Sequence, residues 1–230
     1  MDELLRRAEE ALRNRDGRAA LEAADKALEQ DETCSRAWWI SLRCFQYLYP
    51  IDQYDSQNEL TCARYAIRFC PKPEKYRMRK QIYQFLADKV LDVLKRDAEV
   101  LADGREILGF YQRTVYFDAS GAAQKTREKD EPVMRAVEKS FSYCEAIFDF
   151  IPDSAVRGSR ELNRKAAEIG KQWERTYGYL VLRAGLYHMT LPEEQIRTAH
   201  RVRERYLRAV KDREEILKKP ASFDPEGRCT

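Results

Sequence analysis

Apolar residues recur three and four places apart along nearly the whole of this 230-residue chain, and few residues interrupt them. The stretch "ALEAADKALEQDETCSRAWW" (20–39) is typical: Ala20, Leu21, Ala24, Ala27 and Leu28 share one face, Asp31-Glu32 breaks the pattern, and Trp38 and Trp39 follow. That spacing specifies amphipathic helices. Nine glycines and eight prolines are too few for many short strands joined by turns. The recurring Ala, Leu, Glu, Arg and Lys are strong helix formers. With 43% hydrophobic and 35% charged residues the chain reads as folded rather than disordered. The expected fold class is all-α, antiparallel helix pairs continued by longer C-terminal helices, about nine helices in all.

The spacing predicts helices over 3–14 and 18–30, with Asp16-Gly17 between them. A third holds Ala37, Trp38, Ser41, Phe45 and Leu48 and ends at Pro50; after a polar loop at 52–57, a fourth, "NELTCARYAIRFC", stops at Pro71. Longer helices are expected over 74–96, 133–151 and 158–188, and a last one to about residue 218. Asp103-Gly104 either interrupts the next helical stretch or lies within it, and the 106–117 segment reads as helix or strand. Residues 118–131 are the most loop-like stretch and the best candidate boundary. The organisation expected is a single helical-repeat domain over 1–219, with a sub-boundary at 118–131, and a disordered tail at 220–230.

Residues 13–71 resemble tetratricopeptide repeats, helix-turn-helix units of about 34 residues. Ala20 and Ala27 match the small-residue positions of a second helix, Asp31-Glu32 falls where the family often has Asp-Pro, and Trp38 and Phe45 match aromatic positions of the next first helix. Ala66 and Pro71 match a further unit, whereas Glu32 replaces the usual proline and Leu42 stands where the family prefers glycine. No repeat continues in register beyond about residue 75. The resemblance implies a concave peptide-binding groove lined by first helices, with Arg36, Trp39, Arg43, Gln46 and Tyr47 at the groove positions. An aromatic with two arginines suits an acidic or amphipathic peptide. Trp39 packed beneath the later helices is the competing reading.

A second functional class rests on the last helix, where Arg197, Arg201, Arg205 and Arg208 share a face that suits nucleic-acid phosphates. Glu204, Asp212, Glu214 and Glu215 interrupt it, so a solvated face with internal ion pairs is the competing reading. The ends of the chain differ in sign: 10 acids against 6 bases in residues 1–33, and 9 against 16 in residues 157–219. No cysteine pair has C-x-x-C spacing, and the two histidines, His188 and His200, stand in different helices, so no metal site is expected. Neither a phosphate-cradling glycine loop nor a nucleophile elbow occurs, so neither a cofactor nor an enzymatic activity is expected. Glu145 and Asp149, one helical turn apart, read as surface acids paired to arginine rather than as an acid-base pair. Gly170, Gly178 and Gly185 suggest close helix approach or a bend along the long helix, opposite a core stripe of Trp173, Tyr177, Leu180, Ala184 and Tyr187.

No apolar run is long enough to span a membrane and no signal-peptide core opens the chain. A cytoplasmic protein with six reduced thiols is therefore expected. The favoured function is a non-catalytic scaffold binding a protein or peptide partner, with nucleic-acid binding as the alternative; homo-oligomerisation stays open.

Overall fold

The computed structural model describes residues 1–48, 56–103, 135–137 and 139–186, together with positions 193, 196, 197, 200, 201, 204, 208 and 211. The segment 106–117, the boundary expected at 118–131 and the tail at 220–230 lie outside these residues, as does most of the polar loop at 52–57. All the regular structure described is α-helical, as the spacing predicts.

Helices α1 (Asp2–Arg13) and α2 (Gly17–Gln30) form a hairpin, and α3 (Ser35–Leu48) packs against both. Small side chains set that packing. The buried face of α2 is Gly17, Ala20, Ala24 and Ala27, so α1 presses Leu5, Ala8 and Leu12 against it from one side and α3 presses Ala37, Ile40 and Cys44 from the other. The turn between α1 and α2 needs one residue in the left-handed region, and Arg15 takes it at φ 60°. Asp16 then caps α2 by accepting a hydrogen bond from the Ala19 amide at 3.0 Å. Gly17 reads as a breaker in sequence; in the fold it is the first residue of α2 and a point of contact. A Cβ there would meet Tyr47 Cβ at 2.8 Å and the Cys44 carbonyl at 3.1 Å.

Helix α4 (Ser56–Phe69) packs on α3, with Trp38 half-buried against Tyr65 at 4.8 Å between ring centroids. The Trp38 indole N–H donates to the Glu32 carbonyl at 2.8 Å, tying the start of α3 to the turn before it. Leu42, where the repeat family prefers glycine, is wholly buried against α4 and α5 residues instead. Helix α5 (Lys75–Asp103) runs through Arg96 and onwards to Asp103, well past the span its spacing predicts. Helix α6 covers 135–137 and 139–150. A short α7 (Asp153–Gly158), which the spacing does not predict, precedes α8 (Arg160–Leu186), the long helix expected over 158–188; Ser159 is extended between them, and its hydroxyl caps α8 by accepting from the Leu162 amide.

Pairing of side chains gives the directions. Glu59 and Lys89, and Arg68 and Lys75, meet across α4 and α5, which are antiparallel. Lys89 and Tyr143, and Arg96 and Ser140, meet across α5 and α6, again antiparallel. Gln84 with Glu161, Asp88 with Lys165 and Lys95 with Glu168 run in step, so α5 and α8 lie side by side and parallel. Packed helix pairs thus continue beyond residue 75, where the sequence shows no repeat in register.

One buried polar group joins these pairs. Glu59 of α4 has no exposed surface and Lys89 of α5 is 6% exposed; Lys89 Nζ donates to Glu59 Oε2 at 2.7 Å. The Tyr143 hydroxyl of α6 donates to the same oxygen at 3.0 Å. The ammonium also lies 5.9 Å from the ring centroids of both Phe85 and Tyr143. Burial pushes the Lys89 ammonium below its ordinary pKa, and Glu59 pulls it back up. Around this group lies the larger core of α3 to α8, in which Trp173 stacks on Phe141 at 4.9 Å.

Of the three glycines of α8, Gly178 makes no close approach and marks no break. The helix passes through Gly178 unbroken, and a Cβ at Gly178 meets nothing within 4 Å, so no neighbour approaches closely there. Two substitutions should therefore move stability in opposite directions in urea denaturation. Gly178→Ala should stabilise by up to about 1 kcal/mol, the difference in helix propensity. Gly17→Ala should destabilise by about 1–3 kcal/mol, because a backbone carbonyl must shift. The same sign at both positions would contradict the packing described.

Candidate peptide-binding face

The five groove positions lie on one side of α3, but they do not share one role. Arg36 is turned to α1, where Nε and Nη2 reach Glu9 Oε1 at 2.9 and 2.8 Å. Trp39 is half-buried, its ring edge-on to Phe85 of α5 at 5.5 Å and 81°. Trp39 thus packs against α5 and remains partly exposed. The Arg43 guanidinium lies 5.8 Å from the Trp39 ring centroid and makes no ion pair among the described residues. Gln46 is half-buried and Tyr47 is 39% exposed. Tyr47 is fixed at its base by the close contact with Gly17. The face that stays available is thus Trp39, Arg43, Gln46 and Tyr47, braced by Glu9–Arg36 on the α1 side and by Phe85 on the α5 side.

The arginines of the last helix are exposed and meet acids. Arg197 pairs with Glu193, Arg201 with Glu145 of α6, and Arg208 with Glu204 at 3.8 Å; Arg205 lies outside the described residues. Glu145 is therefore an arginine-paired helix acid. His200 sits 6.4 Å from the Tyr177 ring of α8.

Cys44, Cys62, Cys70 and Cys144 are buried free thiols and Cys34 is a half-buried one. Burial pushes the Cys44 and Cys62 thiols up to about 12, which makes them poor nucleophiles. Among the described residues no three His, Cys, Asp or Glu side chains gather as metal ligands, and no helix is long and apolar enough to cross a membrane.

The polar residues that sequence reading missed are interior ones. Lys89 stands in the apolar series Ile82, Leu86 and Val93, and that lysine inside a buried stripe is the signal the spacing did carry. Asp97 is a second case. It is 1% exposed, Arg96 Nε donates to its Oδ1 at 3.0 Å, and Arg96 also reaches Ser140 Oγ of α6 at 3.2 Å. Burial raises the Asp97 carboxyl above its ordinary 3.8, against the opposing pull of Arg96 and Ser140. The folded state then holds this proton to a higher pH than the unfolded state, so stability is lost as pH rises from 3.8 through the native value. Asp97→Asn removes that loss. Its stability relative to the parent, measured by urea denaturation across pH, should rise from pH 3.8 upward and then level off; a difference independent of pH would contradict the raised value. Compared with protein-family models, curated proteins and solved structures, the chain matches none.

Proposed function

We propose that the chain is a non-catalytic scaffold of the tetratricopeptide kind, which binds an acidic peptide segment of a partner protein on the α3 face. The observation that supports this reading best is Arg43, a half-buried cation that is held near an indole ring and makes no ion pair among the described residues. A peptide carboxylate would pair with Arg43, an apolar peptide side chain would lie on Trp39 and Tyr47, and the Gln46 amide would hydrogen-bond peptide backbone. Arginine and aromatic side chains are the residue types that carry most binding energy at such interfaces. Arg36 acts differently, as a strut to α1. In this reading the protein works in the cytoplasm with its thiols reduced.

An array of acidic peptides containing leucine and phenylalanine tests it. Arg43→Glu should weaken retained peptides by about tenfold or more, equivalent to about 1.4 kcal/mol, with thermal stability unchanged. Tyr47→Ala should act in the same direction. Trp39→Ala should reduce both binding and stability, because it also removes the contact with Phe85. Binding indifferent to Arg43→Glu would overturn the assignment.

A further inference from the structure

A pocket of about 250 Å³ lies at the far end of α5 from Asp97, where the first turns of α5 meet α7 and the start of α8. It takes no part in the α3 face. Its walls carry Tyr76 and Tyr83, with Arg79 and Lys80 beside them on α5, and Ser154 and Gly158 opposite on α7. No carboxylate among the described residues lines it. Arg79 and Lys80 make no ion pair among the described residues, although acids elsewhere on α5 and α8 are bound by lysines. Tyr76 is 76% exposed, the most open large apolar side chain among the described residues, while Tyr83 is half-buried and packs T-shaped against Phe150. Burial raises the Tyr83 hydroxyl above its ordinary pKa.

From this we infer that the pocket binds a small aromatic phosphomonoester. Two neighbouring cations match a doubly charged phosphate, and the hydroxyls of Ser154 and Tyr83 supply neutral donors to its oxygens. The two tyrosine rings provide flat apolar surface for a ring of the ligand. The volume lies below the ordinary range of about 300–1,000 Å³ for drug-sized ligands, which limits the occupant to about one ring and its phosphate.

Phenyl phosphate is the probe, titrated into the full chain by calorimetry beside inorganic phosphate and phenol. Phenyl phosphate should bind at least about tenfold more tightly than either, since only it engages both the cations and the rings. Arg79→Ala with Lys80→Ala should reduce that affinity about tenfold or more. Gly158→Leu provides a second variant at the pocket wall, where a Cβ meets nothing within 4 Å. It should fill the pocket and abolish binding with an unchanged melting temperature. Inorganic phosphate binding as tightly as phenyl phosphate, phenyl phosphate affinity unaltered in Gly158→Leu, or no binding at millimolar concentration would each overturn the inference.

Discussion

Three helices meet at one carboxylate oxygen. Glu59 of α4 accepts from Lys89 of α5 and from the Tyr143 hydroxyl of α6, all three nearly or wholly removed from water. Burying an ammonium and a carboxylate costs several kcal/mol per ion, and only close, well-directed contacts offset it. The surrounding leucines, valines and alanines gain by burial in any register that hides them. The ion pair gains only in one. Its place at the junction of the helix pairs therefore fixes the pitch at which α5 and α6 lie on the first four helices.

From that junction the α3 face takes its shape. Phe85, one helical turn before Lys89, offers its ring both to the Lys89 ammonium and to the edge of Trp39. Trp39 in turn underlies Arg43. On the opposite flank the alanine face of α2 and Gly17 let α3 lie close enough for Tyr47 to rest on the α2 start. The available face is rigid because each of its aromatic anchors is fixed at one end by the core, which limits the entropy lost when a partner docks.

Periodicity carried the helices of this chain well. Most of their buried faces are set directly by apolar spacing, and of the residues that resemble tetratricopeptide units Ala20, Ala27, Phe45 and Ala66 are buried, whereas Trp38 is half-buried and Pro71 exposed. What periodicity could not carry was the partner of each face. Arg36 and Arg43 lie seven residues apart on the same side of α3, yet one meets Glu9 and the other meets no acid among the described residues, a difference set by where α1 ends. The glycine pattern of α8 suggested a contact that Gly178 does not make, because a missing side chain marks an opportunity for approach and not the neighbour that takes it. Lys89 and Glu59 are thirty residues apart and Tyr143 further still; only the antiparallel stacking of α4, α5 and α6 brings them together.

A double-mutant cycle at the junction tests this dependence most directly, with Glu59→Gln, Lys89→Met and both together followed by urea denaturation. Each single change breaks the buried pair by removing one partner and should cost about 3–5 kcal/mol. The double change leaves neither charge, so its cost should fall below the sum of the singles by about 1–3 kcal/mol. Losses that simply add, or single losses below about 1 kcal/mol, would show that apolar packing alone holds α4, α5 and α6 in place.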